Sequence, residues 1–465
     1  MIQNQASFDY NDLLVIFGEE NLVNVSNSIS TIDVVIDSRL VKQGSIFVAL
    51  KGEKLDAHEK VSDAINSGAS ICIVSNDWYD NNKNNFANNG LIKVNDTLVA
   101  LGKLATYHRN RFSYPIIAVG GSNGKTSTKE MIACVLSEKF RVLKTYENFN
   151  NLLGVPLMLL SMNENFDVVV LELGTNQPGE MFELGKICKP DNVLITNIGK
   201  EHLEFLIDID GVEIEETSIL GEVRAGGFAF INYDDERLKR YGHILDKFLT
   251  YGTDKEAGVV AEIELDENLQ PTIKLKYEER ELIVNLKTFG IGSAKNTIAA
   301  AAVAFKFEFS NEEIKRGLEK FEPLLSKSYG RMAVENYGNL TIINDCYNAN
   351  PSSMELALEN LKLIKSDRTK VAVLGDMREL GETALEEHHH IIEMASQIAD
   401  IVCIVGEEMD NAFEMFEFES NVTVFESKDD IANFLDNIID DGLIVLVKGS
   451  RGMKMEEVIE RLRPE

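Results

Sequence analysis

Short, wholly apolar runs recur along this chain, each separated from the next by a stretch with helical spacing. Tyr114-Pro-Ile-Ile-Ala-Val-Gly, Asp167-Val-Val-Val-Leu-Glu-Leu and Asn192-Val-Leu-Ile-Thr-Asn-Ile read as buried strands. Strands without polar alternation, interleaved with helices, predict a parallel sheet covered on both faces. Residues Val259–Leu286 behave differently. Ile273-Lys-Leu-Lys-Tyr277 alternates apolar with polar, which predicts an antiparallel hairpin region at one edge of the sheet. A helix over Ala294–Phe305 closes that block. From near Phe321 the pattern starts again with Leu340-Thr-Ile-Ile, Val371-Ala-Val-Leu-Gly, Ile401-Val-Cys-Ile-Val-Gly and Leu443-Ile-Val-Leu-Val-Lys-Gly, a second doubly wound unit. The block before Phe112 holds short strand-like runs. Its asparagine-rich Asn76–Asn89 stretch reads as an exposed or disordered loop, and Val99–Arg111 as a helix leading into the next block. No internal repeat of 20–50 residues is visible. The expected architecture is α/β, in three domains spanning residues 1–112, 113–321 and 322–465.

Composition narrows the function. With 465 residues and 44% hydrophobic content the chain can bury several cores. Its 46 basic and 76 acidic residues give a formal charge of −30. Such a surface repels nucleic acid and anionic lipid, so neither is an expected partner, and any anionic ligand must meet a local cluster of positive groups. The five cysteines are widely spaced, without a CxxC pair, as expected of buried thiols in a reducing cytosol. The opening MIQNQASFDYNDLL does not read as a secretory signal, and no apolar run is long enough to span a bilayer. The expected location is the cytoplasm.

The sharpest chemical signal is Gly121-Ser122-Asn123-Gly124-Lys125-Thr126-Ser127, between a predicted strand and a predicted helix. Glycines let the backbone approach phosphate oxygens, successive N–H groups and the helix N-terminus face the anion, Lys125 neutralises β/γ charge, and the Thr126 hydroxyl suits Mg²⁺. The alternative is a glycine-rich turn with a surface lysine. Glu172 ends a predicted strand, where a carboxylate suits Mg²⁺ near a γ-phosphate, or simply bonds backbone amides. His202 follows another strand end and is either a ligand or a structural histidine. Asn148-Phe-Asn-Asn151 is, by itself, an ordinary polar loop. The run His388-His389-His390 reads as the start of a helix rather than a metal site, because adjacent helical residues point in different directions.

Taken together the motifs become specific. GSNGKTS, NFNNLLGVP, LELGTNQPGE, ITNIGKEHLE, GSAKNTIAAAA, GRM, NDCYNANPSSMELAL, VLGDMRELG and LVKGSRGMKME follow one another in a fixed order. In this the chain resembles the Mur ligase family over nearly its whole length. YNANP with SSM, LGDMRELG and VKGSR look like the branch that joins D-Ala-D-Ala to UDP-N-acetylmuramoyl-tripeptide. Asp37-Ser38-Arg39, Gly44-Ser-Ile-Phe-Val-Ala-Leu-Lys-Gly and Asp56-Ala-His58 resemble a UDP-sugar-binding domain. The resemblance implies a small N-terminal α/β UDP-binding domain, a central P-loop ATPase domain and a C-terminal Rossmann-like domain that binds the incoming dipeptide. It further implies ATP and Mg²⁺ as cofactors, with Lys125 and Thr126 on the phosphates and Glu172 and His202 on magnesium. Asn296 would contact adenine, and Arg331 and Asp345 would close on the nucleotide. Ser38 and Arg39 would touch the uridine. Asn148, Asn151, Tyr347, Asn348, Asn350, Lys448 and Arg451 fall among the substrate positions. The implied reaction forms an acyl phosphate on the tripeptide and then an amide with the dipeptide amine, on a chain expected to be a monomer. Rival readings are another Mur-family ligase (tripeptide-forming, or of the folylpolyglutamate or cyanophycin type), a P-loop NTPase switch, and a weakly active or non-catalytic descendant.

Three positions depart from the family pattern. Its members usually carry a carbamate-modified lysine after HLE, and Gly211-Val-Glu-Ile-Glu215-Glu216-Thr-Ser has none. Counting from Gly211, Glu216 falls nearest that position, with Glu215 its rival; anchoring on Gly221-Glu-Val would put Leu220 there instead. Glu216 is either a ligand to a second Mg²⁺, directly or through water, or part of a solvated acidic helix face. Gly120 stands where threonine is common, and Asn344 where aspartate is common.

Overall fold

A computed structural model of the chain describes residues 4–52, 55–242, 245–322, 330–416, 418 and 420–463. Three sheets follow one another along it. The first contains β1 (Leu22–Val23), β2 (Val34–Val35), β3 (Ile46–Val48), β4 (Ile71–Ser75) and β5 (Leu91–Val94), in the order β1-β5-β4-β3-β2, with only β1 antiparallel. The Asn76–Asn89 stretch is not a loop. Ser75 caps a helix over Asn76–Asn82, a 3₁₀ turn follows over Lys83–Phe86, and the Trp78 and Phe86 rings pack 5.1 Å apart. One serine cap and two aromatic anchors outweigh the turn preference of the asparagines.

The central sheet has nine strands: β6 (Ile116–Gly120), β7 (Val142–Lys144), β8 (Val168–Glu172), β9 (Asn192–Ile195), β10 (Phe228–Asn232), β11 (Phe248–Gly252), β12 (Val259–Leu265), β13 (Pro271–Tyr277) and β14 (Arg280–Asn285). Their order is β14-β13-β12-β11-β10-β9-β6-β8-β7. Seven run parallel, and β12-β13-β14 form the expected antiparallel edge. The unbroken apolar strands are explained by burial on two sides. Ile116 and Ala118 of β6 and Val169 and Leu171 of β8 join one core, while Ile117, Val119, Val168 and Val170 join another. The helix Thr97–Arg109 ties the first sheet to this one. Its Arg109 is fully buried, pairs with Asp191 at 2.6 Å and donates to the carbonyls of Cys188, Lys189 and Phe112.

The third sheet contains β15 (Ala333–Tyr337), β16 (Leu340–Asp345), β17 (Thr369–Gly375), β18 (Ile401–Val405), β19 (Val422–Val424) and β20 (Leu443–Lys448), in the order β15-β16-β20-β17-β18-β19, parallel except for β15. The three adjacent histidines lie in the second turn of the helix Ala384–Ile398 and go three ways. His388 accepts from the Met377 N–H, His389 packs on Phe416, and His390 pairs with Glu355. Ligands of open α/β sheets gather where strands end at their carboxyl edge. Here the edge carrying Gly120 and Glu172 and the edge carrying Asp345 and Lys448 line one cleft.

Candidate active site

Between the central and third sheets lies a cleft of about 510 Å³. The loop after β6 forms its floor. Gly124, at φ +80°, caps the helix Lys125–Leu136, so the first free amides of that helix open into the cleft. Gly121, at φ +107°, leaves no room for a side chain: a Cβ there would stand 2.3 Å from Thr196 Oγ1 and 2.6 Å from the Thr196 backbone nitrogen. The loop is tied down from beneath. Ser122 Oγ exchanges hydrogen bonds with the Gly199 backbone, Asn197 accepts from the Asn123 N–H, and Thr196 donates to the Asn123 carbonyl at 2.6 Å. Asn296 packs over Gly124, and Thr126 and Ser127 line the same wall.

Lys125 is surrounded by acid. Its Nζ lies 3.5 Å from Glu201 and donates to the Ser122 carbonyl at 3.2 Å. Burial works against its charge, but attraction from Glu201, Glu216 and Glu172 prevails and holds its pKa above the ordinary value. Glu172 is buried at the end of β8; Asn150 donates to one carboxylate oxygen, and Lys129 lies 3.8 Å from the other. Glu216 is fully buried and accepts from the Gly121 N–H at 2.6 Å. Burial pushes its carboxyl up to about 7 against the pull of Lys125. One oxygen each of Glu172, Glu201 and Glu216 is buried without a hydrogen-bond partner. Glu215, the rival position, is fully engaged elsewhere: it accepts from Thr175 Oγ1 and from the N–H groups of Gly179 and Met181, each at 2.7 Å, at the start of the helix Glu180–Cys188.

The opposite wall comes from the third sheet. Lys448, almost wholly buried, bridges Asp345 at 2.5 Å and the Asn348 carbonyl at 3.0 Å. The Arg331 guanidinium lies over the Tyr347 ring at 3.5 Å. Asn350 caps the helix Pro351–Leu363 and reaches across the cleft to Asn123 at 3.1 Å. His202 Nδ1 meets Glu379, and Nε2 stands 3.8 Å from Glu201. Burial lowers the imidazole pKa, and the two carboxylates more than offset this, so it lies above its usual value.

The cleft therefore gathers residues from the loop, Glu172, His202, Asn148, Asn151, Asn296, Arg331, Asp345, Tyr347, Asn348, Asn350 and Lys448. Gly121 and Glu216 sit just behind its floor. Arg451 pairs with Glu456 outside the lining. Ser38 and Arg39 form an exposed 3₁₀ turn of the first domain, with Arg39 held to Asp37 at 2.6 Å.

The Mur ligase middle domain matches residues 119–304, the Mur ligase glutamate ligase domain residues 330–451, and the Mur ligase family catalytic domain residues 33–109. The chain belongs to the Mur ligase family. It is 32% identical over 437 residues, 92% of each chain, to the UDP-N-acetylmuramoyl-tripeptide–D-alanyl-D-alanine ligase of Bacillus subtilis. It is 33% identical to that of Treponema pallidum, over 92% of this chain and 93% of the other. MurF from Acinetobacter baumannii has the same fold at TM-score 0.84, with 31% identity over 93% of each chain. MurF ligase from Thermotoga maritima in complex with ADP superposes at TM-score 0.80, with 26% identity over 92% of this Mur ligase and 96% of the other.

The motifs left several residues of this site unmarked. Glu201 and Glu379 touch Lys125 and His202 but lie one position before the histidine and in a different domain. Lys129 and Asn150 orient Glu172 from the helix and loop that the cradle motifs name only in part. The extra acid before His202 was visible in the sequence; the Glu379 contact arises only from tertiary packing.

Proposed function

We propose that this Mur ligase uses ATP and Mg²⁺ to join D-alanyl-D-alanine to the terminal carboxylate of UDP-N-acetylmuramoyl-tripeptide. The observation that carries the reading is one cleft in which a phosphate cradle from β6 faces Lys448, Asp345 and the Tyr347–Asn350 segment of the third domain. The ligases named above support the choice of substrates.

The residues fit a divalent cation: three carboxylates at one lysine leave three buried oxygens without donors, an arrangement that favours added positive charge. Among the described residues no group of three such side chains holds an ion by itself. Mg²⁺ is ordinarily held by one or two carboxylates together with phosphate oxygens and water. Thr126, Glu172 and His202 would hold it, and the ion would supply charge neutralisation at the transferred phosphoryl group.

The protein's own part is positioning. The loop amides and Lys125 bind the β/γ-phosphates, and Asn296 borders the base. Arg331 and Asp345 close from the third domain. The tripeptide carboxylate oxygen attacks the γ-phosphorus, releasing ADP; the dipeptide amine then attacks the acyl carbon, forming the amide as inorganic phosphate leaves and the amine gives up a proton. Lys448 and Asn348 lie where that amine arrives, and Ser38 and Arg39 hold the uridine end. Five free cysteines, four of them buried, suit a cytoplasmic enzyme, and we take it to act as a monomer.

ADP release measured with UDP-N-acetylmuramoyl-tripeptide, with and without D-Ala-D-Ala, tests the reading. Product formation that requires both is expected. ATP consumption indifferent to either one, or stimulation by a single amino acid in place of the dipeptide, overturns it.

A further inference from the structure

The short helix Ile209–Thr217 presents three buried acids, and each has a separate destination. Glu213 meets Arg237, Arg240 and Tyr241. Glu215 meets two backbone amides and Thr175. Glu216 alone goes to the phosphate cradle, where one oxygen accepts from the Gly121 N–H and the other is left without a donor. It gets there because residue 120 has no side chain: a Cβ on Gly120 would stand 2.9 Å from the bonded Glu216 oxygen. That carboxylate is fully enclosed, so a side chain at 120 would force it to shift against the Gly121 N–H it accepts from. Two departures from the family pattern, Gly120 and Glu216, are thus in contact with each other.

We propose that Gly120 and Glu216 are a coupled pair: the bare backbone at 120 seats the Glu216 carboxylate on the first amide of the cradle, and its second oxygen, buried without a donor behind the cleft floor, draws in the cation that accompanies the nucleotide. Glu216 is a positioning residue by this account. In its ionised form it supplies a carboxylate without a CO₂-derived modification. The inference rests on the nucleotide-with-cation reading above.

Mn²⁺ binding to the full chain in the presence of ADP, followed by electron paramagnetic resonance, tests it without requiring turnover. Glu216→Gln keeps the shape and an acceptor for Gly121, and replaces the second, anionic oxygen with a neutral NH₂. Gly120→Ala keeps the charge and displaces the carboxylate. Each is expected to weaken Mn²⁺ binding about tenfold, in the range seen when groups that orient a metal site are removed. The Glu216→Gln variant should bind ADP without metal at least as tightly as the parent, because an anion beside the phosphates is removed. The double variant should be no weaker than either single one, because contacting residues do not add independently. Unchanged Mn²⁺ affinity in Glu216→Gln, or effects that multiply in the double variant, overturns the pair. So does a rise in parent turnover when bicarbonate is returned to CO₂-stripped buffer. If the parent chain binds Mn²⁺·ADP as described but never joins the dipeptide, the pair stands and the substrate assignment falls.

Discussion

His202 Nδ1 and a carboxylate oxygen of Glu379 stand 2.5 Å apart, one from each side of the cleft. Their neighbours repeat the join: the Glu204 N–H donates to the Glu379 carbonyl at 3.0 Å, and Lys200 pairs with Glu387 at 2.5 Å. The third domain therefore orients a histidine that belongs to the central one. Glu379→Ala is expected to raise the Mg²⁺ concentration for half-maximal turnover by about tenfold, the usual effect of removing the partner that orients a ligating imidazole. Metal titrations of steady-state ADP release would show it; an unchanged Mg²⁺ requirement would mean that the contact only joins domains.

Lys125→Ala should lower kcat by about 10²–10³-fold, as loss of a group that stabilises developing charge does. The far-ultraviolet dichroism should be that of the parent chain, because the side chain makes one backbone hydrogen bond and one ion pair, both within the cleft. Turnover within tenfold of the parent would remove Lys125 from the reaction.

Gly121→Ala meets both a left-handed backbone and the Thr196 main chain. The backbone strain alone is about 1–3 kcal/mol, and the clash adds to it by moving the cradle. ADP affinity by calorimetry should fall more than tenfold; an unchanged affinity would show that the loop relaxes freely.

Lys448 and Asp345 form a nearly dry pair in the third domain. Lys448→Met strands the carboxylate, and such losses run at about 3–5 kcal/mol. The double change Lys448→Met with Asp345→Asn should recover a large part of the lost thermal stability. A double variant less stable than the single one would contradict the pairing.

The Glu335 carboxyl gives a pH test. Burial raises its pKa, but Arg463, Tyr337 and Asn344 outweigh that and hold it below the usual value. Its stabilising contribution is therefore complete above about 4.5 and lost as pH falls through the lower folded value. Glu335→Gln should melt earlier than the parent near pH 7, by about 1 kcal/mol. The gap should close toward pH 3. A gap independent of pH would mean that packing, not charge, holds Arg463 to β15.

How much of this was legible in the sequence follows from the range of the interactions. The two doubly wound units could be read because each buried strand carries its own signature. The cradle could be read because glycines and a lysine must sit at fixed spacing around a phosphate. The helix at Asn76–Asn82 was misread because its stability comes from Ser75 and from Trp78 packing on Phe86, which outweigh local propensity. The acidic run after His202 gave two candidate acids, Glu215 and Glu216, with Leu220 a third position under a different anchor. Only the fold separates Glu215, spent on a helix start, from Glu216, aimed at the cradle. The Glu379 contact spans 177 residues and no motif could announce it.

Lys125, Lys129 and Lys448 each already face a carboxylate. A bare polyanion entering the cleft thus finds few uncommitted positive groups. Competitive inhibitors for this enzyme are better sought among neutral or zwitterionic heterocycles, or chelates that bring their own ion, than among simple phosphate mimics.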